Sequence, residues 1–335
     1  MSKNFVHGVV NKCKRSYMAF TNRKEPLDIS VLIATRDRCQ LLEMTINHLI
    51  HQSLKNIRWE IIVIDNGSTD NTIHTLARAQ TQLPLTVLQE PIPGKNGALN
   101  KALNIVRGDL LVFTDDDIEP SSQWLADLFS ASRRWPTYSI FCGPVFPTYP
   151  EETPAWLREH KFAAPAFAEF VIAAQEGPLH SSITPFGPNY AIRANRLKDL
   201  RFCTQIGPCG KNYPMGGETE LLRRLVARGE RIIYVPSASV KHYIGPHQIK
   251  LEWLIQRAFN FGRGTARLHF DRDPKTIQAR IMELEKSLAD EPANPSQNVS
   301  EAERDRFERE TMIHFLRGQL FEYQALTIEA GGGRK

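Results

Sequence analysis

The sequence predicts an α/β fold with a doubly wound, mostly parallel sheet and a helical extension at the C-terminal end. Short apolar runs typical of buried strands alternate with segments whose apolar residues recur at helical spacing, from about residue 28 to residue 113. Clusters of polar side chains directly follow several of these runs. Successive βαβ units of this length make the strands parallel, and the ligand site of such a sheet lies at the carboxyl ends of its strands.

Each element of the first half follows from its local pattern. The predicted strands cover residues 29–34, 60–64, 85–88 and 110–113. Of the helices between them, the first covers about 41–50, the second runs through Ile73 and Leu76, and the third covers about 96–106. The turn DNGSTD at 65–70 is rich in helix-capping side chains and opens the second helix. Polar clusters at 35–37, 65–66 and 115–117 are therefore expected to meet at one edge of the sheet.

The pattern is less regular after residue 139. Residues 142–190 are rich in Pro and aromatic side chains and predict loops and short elements that form a substrate wall. A helix, a strand and a second helix are predicted over 218–229, 232–235 and 251–262. The last part is predicted to form two helices joined by a linker at 292–296, the second opened by a capping box at Ser300 and Glu303.

The predicted organisation has four parts. These are a basic arm over residues 1–27, one α/β domain over 28–270, a helical hairpin over 271–330 and a disordered tail over 331–335. The basic arm is either a solvated, disordered segment or a peripheral contact with an anionic membrane face, because six Lys or Arg side chains precede residue 25 with no acidic residue among them. The hairpin is expected to pack back on the domain, with a partner surface as the alternative.

The composition restricts the class of protein. A chain of 335 residues with 41% hydrophobic and 24% charged residues is typical of globular domains. No run approaches the roughly 18 apolar residues of a membrane span, and the first residues lack a signal-peptide core, which predicts a cytoplasmic protein. Five scattered cysteines indicate neither a disulfide framework nor a zinc site. A net charge of +5 without a basic recognition motif argues against nucleic-acid binding.

Three consecutive carboxylates, Asp115, Asp116 and Asp117, follow the predicted strand at 110–113. Stacked acids at the end of a buried strand repel one another unless a cation neutralises them, and carboxylate oxygens are the preferred ligands of Mg²⁺ and Mn²⁺. The alternative is an acidic loop that caps the helix after Pro120.

A dinucleotide-binding enzyme is excluded, since no glycine-rich loop follows the first strand. A nucleotidyltransferase would need a glycine-rich, basic loop there, where only Arg36 and Arg38 are present.

Six segments, in this order, resemble the family 2 glycosyltransferases of the GT-A fold from residue 29 to about residue 267. They are SVLIATRDR at 30–38, IDNGSTDNT at 64–72, GKNGALN at 94–100, DDD at 115–117, GGETELLRR at 216–224, and YVP at 234–236 followed by His242. Two positions depart from the family pattern. Many members have two acids where this chain has Asp65 and Asn66, and the usual acidic Glu-Asp pair is replaced by Gly217 and Glu218.

The resemblance implies an inverting, metal-dependent transfer of a sugar from a nucleotide diphosphate sugar. It implies that the aspartate run is the family's D-x-D motif, that Asp117 binds Mn²⁺ or Mg²⁺ directly, and that Asp115 reaches the metal, its bound water or the ribose. Asp116 is counted with the donor-binding residues, with the alternative that it points into the sheet. His242 completes the metal shell or contacts the phosphates, unless it is a hydrogen-bonded structural residue.

The acceptor hydroxyl needs a carboxylate to take its proton, and Glu218 is the candidate base. Its longer side chain leaves Glu220 open as an alternative, and an acid at a helix N-terminus is also favoured by the helix dipole alone. Inversion at the anomeric carbon is expected from a base opposite the leaving group.

Donor binding is expected at four positions on the strand-end loops and at one lysine that opens a helix. These are Thr35, Arg36, Asp65 and Asn66 around the nucleoside, and Lys95 at the phosphates. Trp156 and Trp253 either stack on sugar faces or pack in the core.

The implied function is sugar addition to a saccharide or lipid-linked acceptor in polysaccharide biosynthesis, with a UDP-sugar as the favoured donor. A non-catalytic nucleotide-sugar-binding or assembly protein of the same fold is the alternative.

Overall fold

A computed structural model describes residues 26–332, apart from residue 212 and residues 271–272 and 290–298. Nearly all of the predicted basic arm, the predicted linker at 292–296 and the last three residues of the predicted tail lie outside the described residues. The side chains of residues 274, 299–301 and 330–332 lie outside them as well. The four domain boundaries therefore stay predictions.

The bounds of the elements follow the predicted order. The strands are β1 (Leu27–Thr35), β2 (Trp59–Asp65), β3 (Leu85–Gln89), β4 (Gly108–Thr114), β5 (Ile118–Pro120), β6 (Ile140–Cys142), β7 (Val145–Thr148), β8 (Gly177–Pro178), β9 (Tyr190–Arg193), β10 (Ile232–Tyr234) and β11 (Val240–Tyr243). The helices are α1 (Cys39–Ile50), α2 (Thr72–Ala79), α3 (Lys95–Ala102), α4 (Trp124–Arg134), α5 (Ala155–Arg158), α6 (Ala163–Phe167), α7 (Gly217–Ala227), α8 (Leu251–Leu268), α9 (Pro274–Ala289) and α10 (Val299–Gly332).

The larger sheet has the strand order β3-β2-β1-β4-β9-β6-β10-β8 within the described residues. The first four strands of that order are parallel, and β9 runs antiparallel to both β4 and β6. The strands β1, β2 and β4 are buried along most of their length because helices cover both faces, which explains their nearly continuous apolar runs. The predicted doubly wound, mostly parallel sheet is confirmed.

A smaller sheet, β5-β11-β7, begins directly after the aspartate run. In its register His242 lies opposite Ile118, and the backbone N–H of Tyr243 donates to the carbonyl of Asp117 at 2.9 Å. This pairing joins a strand near residue 240 to the end of β4. The small sheet therefore brings a histidine to the carboxylates, although more than 120 residues separate them in the sequence.

The C-terminal helices pack back on the rest of the protein, as the sequence predicts. Helices α8 and α10 are in backbone contact where they cross. A Cβ atom added to Gly262 would lie 2.0 Å from the carbonyl oxygen of Phe315, and one added to Gly318 would lie 2.0 Å from that of Phe259. Glycine at both positions is needed for this close approach, since any side chain would force the helices apart.

Two arginines of α8 hold α10 through one buried carboxylate. The side chain of Glu322 is 0% exposed, and its two oxygens accept hydrogen bonds from Arg263 Nε at 2.7 Å and Arg267 Nε at 2.5 Å. A buried carboxylate is stable only when its charge is balanced and its oxygens are hydrogen-bonded. This cluster therefore fixes where α10 lies along α8.

None of the helices in the described part of the chain combines the length and apolar character that crossing a lipid bilayer requires.

We expect Glu322→Ala to lower the free energy of unfolding by about 3–5 kcal/mol, because two partly buried guanidinium groups lose the carboxylate that balances them. Urea denaturation of the purified chain measures the change. The matched control is Glu329→Ala, since Glu329 is 60% exposed and lies 3.8 Å from Arg267; it should change stability by less than about 0.5 kcal/mol. Equal effects of the two variants would contradict the structural role of Glu322.

Candidate active site

A cavity of about 920 Å³ opens at the carboxyl ends of β1 and β4. Nine of the ten predicted site residues line it: Thr35, Arg36, Asn66, Lys95, Asp115, Asp116, Asp117, Glu218 and His242. They come from separate segments of the chain, which the parallel strands and the small sheet bring to one edge. The tenth, Asp65, does not reach the cavity wall.

The middle carboxylate, Asp116, is buried and turned toward the first strand. Its oxygens accept hydrogen bonds from Thr35 Oγ1 at 2.6 Å and Arg38 Nη1 at 2.7 Å. Burial raises the pKa of Asp116 above its ordinary value, and the positive charge of Arg38 opposes that shift. The Thr35 hydroxyl and one nitrogen of Arg38 thus bind Asp116, which favours the predicted alternative that this residue points inward.

Asp117 lies between two cationic groups. Arg38 Nη2 donates to its Oδ2 at 2.5 Å, and His242 Nε2 lies 3.4 Å from its Oδ1. Burial favours the protonated acid, but the charges of His242 and Arg38 hold the pKa of Asp117 well below its usual range. Asp117 is consequently ionised at neutral pH.

Asp115 is the most accessible of the three acids and forms an ion pair with Lys95 Nζ. Burial opposes the charge of Lys95, but Asp115 and Glu218 raise its pKa above the ordinary value. Gly187 lies beside the ion pair, and an added Cβ would be in ordinary contact with it, 3.6 Å from both Asp115 Oδ2 and Lys95 Nζ. Lys95 is therefore a charged group inside the cavity.

Asp115, Asp117 and His242 fit a divalent cation. Each offers one ligand atom, and the three atoms lie within 4.8 Å of one another. Within the described residues, the buried Oδ1 of Asp117 accepts no hydrogen bond. His242 Nδ1 lies 2.8 Å from the carbonyl oxygen of Phe167, so Nδ1 carries a proton, and Nε2 is the ring nitrogen that would bind a metal in place of its own proton.

Glu218 occupies the first turn of α7 and lines the cavity. In the described part of the chain its carboxylate has no hydrogen bond or ion pair of its own, so both oxygens are available to a ligand. Glu220 is different, because Arg224 binds both of its oxygens at 2.7 Å and it does not line the cavity. This geometry favours Glu218 over Glu220 as the base.

The glycine before Glu218 has a steric explanation. A Cβ atom on Gly217 would lie 2.4 Å from the side-chain nitrogen of Asn96, which is buried and donates to the carbonyls of Cys203 and Ile206. Asn96 thus occupies the space that an acidic side chain at position 217 would need. The packing of Asn96 therefore explains why glycine, and not an acidic residue, stands at position 217.

Asp65 and Asn66 are hydrogen-bonded to the backbone of the loops around them. Asp65 Oδ1 accepts the backbone N–H of Ser68 at 2.9 Å. Asn66 donates to the carbonyls of Glu90 and Ile92 and accepts the N–H of Gly94 at 2.8 Å, which uses its whole amide group. These bonds hold the amide of Asn66 and one oxygen of Asp65, and the predicted contact of both residues with the nucleoside stays a prediction.

Sequence reasoning missed two cationic residues, Arg38 and Arg257. The signal for Arg38 was its place three residues after the first strand, opposite acids that need a counter-charge. No local signal marks Arg257, which reaches the cavity because α8 packs against the segment before α7, where the N–H of Met215 donates to the carbonyl of Asn260.

Trp156 and Trp253 are half-buried and pack against other aromatic rings. Trp253 stacks on Phe167 at 6.1 Å between ring centroids, and the Trp156 ring lies 5.2 Å from that of Phe307. Neither tryptophan lines the cavity.

We expect Arg38→Ala to lower the free energy of unfolding by about 1–3 kcal/mol, because Asp116 and Asp117 lose their shared hydrogen-bond donor. Mn²⁺ should then raise the melting temperature of the variant more than that of the unchanged protein, since the ion replaces the missing positive charge. Thermal denaturation with and without Mn²⁺ measures both effects. Arg36→Ala is the control, because Arg36 is 47% exposed and pairs only with its neighbour Asp37 at 3.5 Å within the described residues. An equal Mn²⁺ response in the two variants would refute this charge balance.

Residues 30–203, slightly more than half of the chain, match the family model described as Glycosyl transferase family 2. Among curated proteins, the succinoglycan biosynthesis protein ExoM of Rhizobium meliloti (strain 1021) is 27% identical over 251 residues, covering 73% of this chain and 76% of that protein.

Two solved structures share the fold at low sequence identity. TarS of S. aureus, residues 1–349, superposes with a TM-score of 0.52 at 15% identity over 92% of both chains. The mannosyltransferase PcManGT from Pyrobaculum calidifontis superposes with a TM-score of 0.50 at 19% identity, over 98% of this chain and 83% of that one. The architecture is therefore that of GT-A glycosyltransferases. Together with the matched segment, it shows that the chain belongs to glycosyl transferase family 2 and is a glycosyltransferase.

Proposed function

We propose that this protein is an inverting, divalent-metal-dependent glycosyltransferase. It moves a sugar from a nucleotide diphosphate sugar, with a UDP-sugar favoured, to a hydroxyl of a saccharide or lipid-linked acceptor in polysaccharide biosynthesis. One observation carries the proposal: the carboxylate of Glu218, unpaired within the described residues, lines the same cavity as the Asp115, Asp117 and His242 cluster. A base and a metal-binding group in one cavity are what such a transfer requires.

Asp115, Asp117 and His242 would hold the ion, which the donor set allows to be Mn²⁺ or Mg²⁺. When bound, that ion supplies positive charge to the phosphates of the departing nucleotide. PcManGT was solved in complex with GDP-Man and Mn²⁺, and TarS was solved in complex with UDP and with UDP-GlcNAc. These neighbours support a nucleotide-sugar donor and a divalent ion.

Lys95 is the protein's own cation for the phosphates. Its ammonium group forms an ion pair with Asp115, and the charge of Glu218 also raises its pKa. Lys95 is therefore close to both the metal-binding group and the proposed base. A phosphate oxygen there would gain a charge-assisted hydrogen bond. Arg36, exposed at the rim, is the candidate for the nucleoside, while Asp65 and Asn66 act by holding the surrounding loops.

Glu218 takes the proton from the acceptor hydroxyl as its oxygen attacks the anomeric carbon. The new C–O bond forms while the bond from that carbon to the phosphate oxygen breaks, and the nucleotide diphosphate leaves with the bonding electrons. Attack from the side opposite the leaving group inverts the anomeric carbon, so an α-linked donor gives a β-linked product. The free carboxylate of Glu218 suits this role because no neighbouring cation is paired with it in the described residues.

Comparison with a relative supports a saccharide acceptor. ExoM is named for succinoglycan biosynthesis, which supports polysaccharide assembly as the process. The cytoplasmic location and the contact with a membrane face stay predictions from the sequence.

We expect Glu218→Gln to lower kcat for sugar transfer by about 10²–10⁴-fold, because the acceptor hydroxyl loses its general base. Donor binding should remain, since the amide has nearly the same shape. Steady-state kinetics and nucleotide titration separate the two quantities. Glu220→Gln is the matched control, two residues away on the same helix and outside the cavity. A larger loss of kcat in Glu220→Gln would reverse the assignment.

The donor is identified by nucleotide release from a panel of UDP-, GDP- and dTDP-sugars with Mn²⁺ or Mg²⁺. We expect release from one donor, loss of release on chelation, and a reduction of at least about tenfold in Asp117→Asn, because a neutral amide is a weaker ligand for a hard cation. If no donor is hydrolysed and no nucleotide binds with metal present, the transferase proposal fails and a non-catalytic assembly role replaces it.

A further inference from the structure

Asn96 is a buried side chain between helix α3 and the segment that leads into α7. Only 5% of it is exposed, and it does not line the cavity. Its Nδ2 donates to the carbonyl of Cys203 at 2.8 Å and to that of Ile206 at 2.6 Å. Because Asn96 lies outside the cavity, any effect that it has on the reaction must pass through its neighbours.

Two glycines let the amide of Asn96 pack directly against the backbone. A Cβ atom on Gly207 would lie 2.9 Å from Asn96 Nδ2, and one on Gly217 would lie 2.4 Å from the same atom. A side chain at either position would therefore displace the amide, since closely packed protein interiors leave no space for such an overlap. Gly217 directly precedes Glu218, so Asn96 contacts the backbone one residue before the proposed base.

The segment before Glu218 is also held by helix α8. The N–H of Met215 donates to the carbonyl of Asn260 at 3.0 Å, and a Cβ atom on Gly264 would lie 1.9 Å from the Met215 carbonyl oxygen. Residues 215–217 are thus held at one end by α8 and at the other by Asn96. The carboxylate of Glu218 has no ion pair of its own in the described part of the chain, so its position depends on this backbone.

The first turn of α3 contacts both halves of the candidate active site. Lys95 forms an ion pair with Asp115 of the metal-binding group, while Asn96, the next residue, packs against Gly217. Adjacent residues of one helix therefore contact the aspartate run and the segment that carries Glu218. The separation between the metal-binding group and the proposed base is set by this short element.

We propose that Asn96 is a positioning residue for Glu218. The inference rests on the proposed function, in which Glu218 takes the proton of the acceptor hydroxyl. By packing against Gly217, Asn96 fixes the backbone from which the Glu218 carboxylate reaches that hydroxyl. Asn96 itself binds neither donor nor acceptor. Its loss should therefore slow the chemical step and leave the affinity for the nucleotide unchanged.

We expect Asn96→Ala to lower kcat for sugar transfer about tenfold or more, because a displacement of about 1 Å at a reacting group can cost about 100-fold in rate. The dissociation constant of the nucleotide diphosphate should change by less than about twofold. In a Glu218→Gln background, Asn96→Ala should lower kcat by less than about twofold, since a residue that acts only through Glu218 has no further effect once the base is removed. Equal losses of kcat in the two backgrounds would overturn the proposal.

The matched control is Asn100→Ala, one turn further along α3. Asn100 Nδ2 donates to the Phe202 carbonyl at 2.9 Å and its Oδ1 accepts the Phe202 N–H at 2.8 Å, so it holds the start of the same loop as Asn96. The three atoms nearest to a Cβ on Gly217, however, all belong to Asn96. Asn100→Ala should change kcat by less than about threefold. A loss of kcat equal to that of Asn96→Ala would assign the effect to the loop and overturn the positioning role.

Gly217→Ala disturbs the same contact from the other side. It should lower kcat about tenfold or more without weakening nucleotide binding, because its Cβ pushes the segment away from Asn96. The double variant with Asn96→Ala should melt at least about 2 °C above the temperature expected from the sum of the two single changes, since the overlap is then relieved. Additive changes in melting temperature would overturn the contact.

Failure of this inference is distinguishable from failure of the proposed function. If the unchanged protein transfers sugar and Asn96→Ala does so with the same kcat, the positioning role is refuted and the transferase function stands. If the unchanged protein turns over no donor, the transferase function fails and the positioning role fails with it.

Discussion

The structure around the cavity depends on the charge balance of two buried carboxylates at the end of β4. Asp116 and Asp117 lie side by side in the protein interior, where two negative charges would repel each other strongly. Arg38 donates to both, and His242 stands against the second. Removing these cations would leave the two carboxylate charges uncompensated. The segment after β1, which carries Arg38, and the small sheet, which carries His242, must therefore meet at this point. The other residues of the site line the cavity around this contact.

The same constraint separates the functions of the three aspartates. Asp116 is directed into the protein by Thr35 and Arg38, which leaves Asp115 and Asp117 to face His242 and the cavity. Three identical side chains in a row therefore have three different environments. Burial, the neighbouring cation and the direction of the strand decide which carboxylate supports the loop and which can bind a metal.

Helix α8 links the candidate active site to the C-terminal end. Gly264 lies so close to the backbone of Met215 that an added Cβ would be 1.9 Å from the Met215 carbonyl oxygen. Met215 precedes Glu218 of α7 by three residues, so the position of α8 sets that of Glu218, the proposed base. Glu322 of α10 in turn fixes α8. The C-terminal helices thus contribute to the site through packing.

The sequence by itself determined the elements that depend on neighbouring residues. Apolar runs located β1 to β4, since strand formation and burial leave a local signature, and the ordered motifs indicated Glu218, Lys95 and the aspartates. Only the tertiary structure decided the contacts across long sequence separations. It paired Arg38 with the aspartates, turned Asn66 onto backbone groups, and brought Arg257 to the cavity. The physical reason is that a side chain's role depends on which charges and hydrogen-bond partners surround it, and the folded chain alone supplies them.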